Sequence, residues 1–327
     1  MRRVFVVFLS ICIALALAGC VEKQLPAPIS ETRVLLDTYC TITIYGKHET
    51  SLLDEAFDLC AEYEEMLGIN VAGSDVWRIN HAVGEAVAVA PQTVEVIMAG
   101  LGYGELSEGF FDITVGRLST LWGFSGETSV PSEAEIEAAL LSVGYRQVSV
   151  EGDTVRLSNP DIWLDLGGIA KGYIADQVAL FLKERGVAGA VIDLGGDVAV
   201  VGGKPDGSPW LVGVRQPFGE HGDLLGVIET GEASVVTSGV YERQFVENGV
   251  TYHHILDPFT GRPARSDVTG ATVVAEGAAA GDALSTIAVL LGSDRAAGVF
   301  ANAPGFVGAL LVLDSGELLQ FGDIDFR

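Results

Sequence analysis

Four short segments concentrate residues able to do chemistry. Asp165-Leu166-Gly167-Gly168-Ile169-Ala170-Lys171-Gly172 ends an apolar strand in an acid, turns on glycines and opens a helix with a lysine in its first turn. That pattern is expected to expose main-chain N–H groups and a cation where a phosphate can sit. It matches neither a Walker A loop nor a GxGxxG turn, and a plain strand–helix turn fits it as well. Asp282-Ala283-Leu284-Ser285-Thr286 places a carboxylate and a hydroxyl four residues apart on one helix face, a hard-oxygen pair suited to Mg2+. An N-capping aspartate followed by ordinary helix residues is the plainer alternative. Tyr252-His253-His254-Ile255-Leu256-Asp257-Pro258 sets two histidines at a strand end, of which only one can readily face a given site. The other histidines, His48, His81 and His221, lie in segments without ligand spacing, so a zinc centre is not expected. Thr237-Ser238-Gly239 forms a hydroxyl-bearing strand end.

The rest of the chain bounds what these segments can serve. It has 327 residues, 44 acidic against 19 basic, and a formal net charge of −25. So acidic a protein lacks the basic surface that displaces counterions from phosphate backbones, which excludes nucleic acid as a partner. It equally disfavours electrostatic adhesion to anionic lipid. With 49% hydrophobic and only 19% charged residues the chain is globular, with ample material for a core. Residues 1–19 read as a secretory signal: Met1-Arg2-Arg3 is basic, Val4 to Leu17 is apolar, and Leu17-Ala18-Gly19-Cys20 follows. That order resembles a bacterial lipobox, so Cys20 is expected to be lipidated and to anchor an exported, membrane-attached lipoprotein, with residues 20–32 as a tether. Cys40 falls in an apparent strand and Cys60 on the apolar face of a helix; a disulfide between them and two buried thiols both fit.

Hydropathy patterning supplies the elements that must carry the four segments. Arg33–Tyr45 reads as one strand, and Ser51–Leu67, Gln92–Leu106 and Ser132–Val143 as helices, the last opened by a Ser132/Glu135 capping box. Strands follow at Gln147–Val150, Thr154–Leu157 and Ile162–Leu164, then a helix at Ile169–Arg185 and a strand at Ala190–Leu194. The remainder is mostly β: Trp210–Arg215, Leu224–Thr230, Ser234–Thr237, a hairpin of Tyr241–Val246 with Val250–Ile255 turned by Asn248-Gly249, Thr269–Ala275, Ala309–Leu313 and Leu318–Phe321, with a helix at Gly281–Leu291. Without a regular βαβ period this is an α+β (mixed α/β) fold with a largely antiparallel sheet and packed helices. No repeat or linker follows Thr32, so residues 33–327 are expected to form a single catalytic unit.

Taken in order, FFDITVGRLSTLWGF at Phe110–Phe124, DLGGIAKGYIAD, VIDLGGD, TSG, HHILDPFTG and DALST resemble the ApbE family of FAD:protein FMN transferases. The resemblance spans about Leu36 to Thr286. It implies an exported enzyme, commonly a lipoprotein, that uses FAD and Mg2+ to attach FMN by a phosphoester to a threonine or serine of a partner protein, releasing AMP. The partners it implies are membrane redox subunits of the Rnf and sodium-pumping quinone reductase type. Carried over residue by residue, Asp282, Thr286, the adjoining Ser285 and the Gly168 carbonyl match metal ligands. Asp165, Lys171 and Leu256 match FAD contacts, while Leu36, Asn70, Phe110, Phe111 and Asp112 fall where the family holds the flavin end. His254, with an unperturbed pKa near ~6.5, is the candidate base for the acceptor hydroxyl.

Two departures stand out. Leu36-Asp37-Thr38 replaces the family's usual Met-Gly-Thr, bringing a charged side chain where glycine is expected, and Ser74-Asp75-Val76-Trp77-Arg78-Ile79-Asn80 replaces its usual Ser-Glu-x-Ser-arginine pattern. The competing readings are an FAD pyrophosphatase giving FMN and AMP, a flavin-binding lipoprotein without catalysis, and a surface adhesion module supported only by the anchor. Thr269-Gly270-Ala271-Thr272 is similar to acceptor patterns modified by the family, but it reads as a buried strand, so self-modification at Thr272 is not expected.

Overall fold

The computed structural model describes residues 26–124, 128–220 and 222–327. The signal segment and Cys20 lie outside the described residues. Eight strands form the main sheet: β1 (Ile29–Leu35), β2 (Thr38–Ile44), β3 (Gly189–Leu194), β4 (Asp197–Gly202), β5 (Ser234–Gly239), β6 (Val268–Ala275), β7 (Phe306–Leu313) and β8 (Leu318–Gly322). They lie side by side in chain order, and every neighbouring pair is antiparallel. The expected mixed fold with a largely antiparallel sheet is what the chain forms. Eight helices accompany the sheet among the described residues: α1 (Ser51–Leu67), α2 (Asp75–Asn80), α3 (Pro91–Leu106), α4 (Gly116–Trp122), α5 (Glu133–Leu140), α6 (Ala170–Glu184), α7 (Ala278–Leu291) and α8 (Ser293–Phe300).

Burial explains the layering. In β2, Cys40, Ile42 and Ile44 point inward in strict alternation, as one covered face requires. By contrast β6 is buried on both faces along nearly its whole length. On one side it packs against α7; on the other lies a small sheet of Trp210–Arg215, Leu224–Thr230 and Asp325–Phe326, whose Val214 and Ile228 meet Val274 and Leu310. Helices α6 and α7 cross so closely that a methyl group on Gly172 would sit 2.3 Å from the Ala278 carbonyl oxygen. Asp176 of α6 also accepts the main-chain N–H groups of Ala278 (2.7 Å) and Ala279 (2.9 Å), capping the N-terminus of α7. The two helices behind the site are thus fixed to each other by both packing and capping. A separate small core of Leu118, Trp122, Ile136 and Leu256 joins α4 and α5 to the segment after the histidines.

Several expectations need correction. Residues 33–45 form two strands, with a turn at Leu36-Asp37 whose φ angles are both +55°. A two-residue turn of this hand demands left-handed backbone, which favours glycine and tolerates aspartate. Sheet structure also starts at Ile29, within the stretch expected to be a tether. Ile162–Leu164 makes no strand beyond one bridge between Val115 and Trp163; Leu164 instead exchanges both main-chain hydrogen bonds with the Asn80 side-chain amide (2.9 and 2.7 Å). Strand β4 and helices α2, α4 and α8 were not anticipated by the periodicity.

Candidate functional site

The ends of β4, β5 and α6 and one face of α7 meet the β1–β2 turn and the His254 segment around a cleft of about 930 Å3. That lies near the top of the ~300–1,000 Å3 range of small-molecule sites. Every candidate site residue in the described chain lines it except Ser285: Gly168, Asp282 and Thr286; Asp165, Lys171 and Leu256; Leu36, Asn70, Phe110, Phe111 and Asp112; and His254.

Lys171 lies at the centre of the charged wall. Its Nζ is 2.7 Å from Asp197 Oδ2 and 3.6 Å from Asp282 Oδ2, and both acids are almost wholly buried. Burial opposes the ammonium charge, but the two carboxylates more than offset it, so Lys171 holds its proton above the usual lysine range. Asp197 is pushed well above the usual carboxylate range, by burial first and then by the charge of Asp282, against the pull of Lys171. Two acids share one lysine, so the wall has room for further positive charge. Asp197 closes the VIDLGGD motif and was not singled out from the sequence; its place in an acid–glycine turn offered no sign that it would reach Lys171.

The donor chemistry fits a hard cation. Asp282 supplies carboxylate oxygen and Thr286 a hydroxyl, and a methyl group placed on Gly168 would lie 3.9 Å from Thr286 Oγ1, so the glycine turn and α7 meet. Oxygen donors of these kinds suit Mg2+. Among the described residues no group of three or more His, Cys, Asp or Glu side chains is placed to hold a metal ion, so a cation here would rest on Asp282 together with hydroxyl and main-chain oxygens. Ser285 is fully buried behind the wall, its hydroxyl donating to the Asp282 carbonyl (3.0 Å) and touching Ser238 (2.8 Å).

Several of the N–H groups expected to be exposed at the glycine turn are used within the chain, while Lys171 does face the cleft. The N–H of Gly167 goes to Asp165 Oδ1 (2.8 Å), and those of Ile169 and Ala170 go to the Leu166 carbonyl. The Gly172 N–H binds Asp282 Oδ2 at 3.1 Å. Asp112 is likewise engaged within the chain: it accepts from the N–H and hydroxyl of Thr114 and from the N–H of Tyr145, and so braces the loop behind Phe111. Phe110 is held between Phe259, with ring centroids 4.8 Å apart, and the Arg295 guanidinium, 4.3 Å from its ring.

The two histidines separate where the strand ends at His253 and the chain bends at His254. His254 lines the cleft, whereas His253 places Nε2 3.0 Å from the Ala264 carbonyl. Burial, then the nearby Arg243 charge, pushes the His254 imidazole down to about 3, so it is neutral throughout the physiological range rather than titrating near the ordinary value. Arg243 itself lines the cleft, and its carbonyl accepts the His254 N–H at 3.1 Å. Asp37 projects from its turn onto the cleft rim. None of residues 74–80 lines the cleft. Ser74 caps α2, Asp75 accepts from Thr93 (2.7 Å) and the Ala90 N–H (2.8 Å), and Asn80 holds Leu164. The residues of that second departure thus brace the elements around the cleft from outside its lining. Cys40 and Cys60 are free, buried thiols, raised by burial to about 11 and about 12.

Known proteins are similar to this chain in sequence and fold. A relative from Klebsiella pneumoniae, called FAD:protein FMN transferase, is 36% identical over 271 residues, covering 81% of this chain and 83% of its own. One of the same name from Vibrio cholerae is 34% identical, covering 75% and 72%. The crystal structure of the ApbE protein from Thermotoga maritima superposes with a TM-score of 0.83 at 35% identity, over 90% of this chain and 97% of the other. Fold and relatives together define an enzyme of the transferase class. Residues 36–311 match the ApbE family model, and the chain belongs to the ApbE family.

Proposed function

We propose that the protein is a Mg2+-dependent FAD:protein FMN transferase that moves FMN from FAD to a threonine or serine hydroxyl of a partner protein and releases AMP. The observation that carries this reading is the meeting of Asp282, Thr286 and Lys171 with a neutral His254 across one dinucleotide-sized cleft. Asp282, Thr286 and the Gly168 carbonyl would hold Mg2+, which when bound supplies Lewis-acid neutralisation of the FAD pyrophosphate. Lys171, locked by Asp197, presents fixed positive charge to the same phosphates. The acceptor oxygen bonds to the FMN-side phosphorus as the bond from that phosphorus to the bridging oxygen breaks. AMP leaves with the bridging oxygen, and the hydroxyl proton passes to the imidazole of His254. Negative phosphate beside His254 offsets the repulsion from Arg243 and Lys171, which raises the basicity of the ring when it is needed.

The signal pattern and Cys20 support an exported lipoprotein tethered at the membrane, where acceptors of the Rnf and sodium-pumping quinone reductase type are embedded. Among the described residues no helix is long and apolar enough to cross a membrane; the tether in this proposal is lipid at Cys20. The test is incubation with FAD, Mg2+ and such a subunit: covalent flavin fluorescence on the acceptor with one AMP per FMN attached is expected. FMN released free into solution would assign water as the acceptor, and no AMP at all would leave a flavin-binding protein without catalysis.

A further inference from the structure

Three hydroxyls touch in series beside the charged wall, and each has one proton to give. Ser285 Oγ lies 3.0 Å from the Asp282 main-chain carbonyl, which can only accept, so the Ser285 proton is committed there. The 2.8 Å contact between Ser238 and Ser285 then requires Ser238 to donate. With that proton committed, the 3.2 Å contact between Ser238 and Thr286 has Thr286 as donor. The chain of protons runs Thr286 to Ser238 to Ser285 to the Asp282 carbonyl, and its far end is fully buried, where water cannot compete. Thr286 Oγ1 therefore turns its proton toward Ser238, leaving lone pairs for the cleft.

A cation binds lone pairs and is repelled by a hydroxyl proton. We propose that Ser238 is a positioning residue that orients Thr286 as a cation ligand, with Ser285 as the anchor of the chain rather than a ligand itself. The inference rests on the Mg2+ reading above. Without Ser238 the Thr286 proton turns into the cleft, or the side chain back-bonds to the preceding helical turn; either weakens the site. The sequence pattern TSG, otherwise a plain strand end, thereby acquires a role.

Cation affinity of the purified full chain tests this without reference to turnover. Free Mn2+ is counted by its EPR signal, with Mg2+ as competitor. Ser238→Ala is expected to weaken binding about tenfold, as loss of an outer partner of a metal ligand commonly does, while Ser238→Thr retains it. In a Thr286→Val background the Ser238→Ala loss should vanish, because its only route is through Thr286. Wild-type affinity in Ser238→Ala, or a loss that adds in full to that of Thr286→Val, overturns the inference. Weak binding in Asp282→Ala with normal binding in Ser238→Ala rejects the hydroxyl chain alone. Normal binding in both Asp282→Ala and Thr286→Val rejects the metal reading and the chain with it. A melting curve without cation checks folding; if Ser238→Ala does not fold, Ser285→Ala breaks the same chain one step back and should show a smaller loss in the same direction.

Discussion

The two walls of the cleft are built by different rules. The wall carrying Lys171, Asp197, Asp282 and Thr286 comes from main-sheet strands and from two helices pinned together at Gly172 and Asp176. Its polar groups are bonded to one another. The opposite wall carries His254 and Leu256 just beyond a short hairpin, which with Leu256 packs on the separate core around Trp122, and Asp37 on the β1–β2 turn. There the Nδ1 atoms of both His253 and His254 lack hydrogen-bond partners among the described residues. A network satisfied within itself is preorganised for charge and needs no rearrangement when the pyrophosphate arrives. A buried, neutral imidazole with unused hydrogen-bonding capacity is a weak base at rest, and on the transferase reading it takes a proton only once bound phosphate offsets the cations beside it.

Breaking the charged wall should cost most. Asp282→Ala is expected to lower transfer about a thousandfold, the scale of several kcal/mol of lost charge neutralisation. The same change removes one of two buried acids sharing Lys171, so the melting temperature should hold or rise in its absence. A variant of normal turnover would remove the basis for treating this wall as the phosphate side. Breaking the other wall comes next: His254→Asn should reduce transfer about a hundredfold or more with FAD affinity little changed. His253→Asn, which touches only the Ala264 carbonyl, should do less to transfer. Equal losses from the two histidines would erase the distinction between them.

Smaller effects sharpen the comparison. Gly172→Ala forces the two helices apart and should destabilise by about 1–3 kcal/mol, read by denaturant unfolding, with His254 chemistry secondary to that loss. The depressed His254 affinity for protons has a sign that can be checked. Below about pH 6.5 the unfolded chain binds a proton at this position that the native chain refuses until about pH 3. This group therefore takes stability away as pH falls through that window, and His253 acts in the same direction. His254→Asn should flatten the decline in melting temperature between pH 6.5 and pH 5, and unchanged steepness would contradict the burial assigned to the ring. The smallest expected effect is none: Thr272 is buried, bonded to Thr237 at 2.9 Å and paired in the sheet on both sides. Intact mass after incubation with FAD and Mg2+ should show no added FMN.

Local chemistry in the sequence was enough for much of this. The apolar spacing of Ser51–Leu67, the Ser132/Glu135 cap and the Asn248-Gly249 turn each appear in the structure because helix faces, caps and tight turns depend on residues a few positions apart. The ordered motifs likewise pointed to residues that line a single cleft. What depended on distant partners was not legible. Asn80 takes the place of a strand beside Leu164 from 84 positions away. The Leu36-Asp37 reversal interrupts a run of strand-forming residues without altering its composition. Asp197 and Ser238 sit in motifs whose glycine turns gave no hint of Lys171 or Thr286. The direction of a proton in a chain of hydroxyls, and the neutrality of His254, are set by which atoms pack around them. Only the tertiary structure brings β4, β5, α6 and α7 to one end of the sheet, where burial and charge act across gaps in sequence that no local pattern spans.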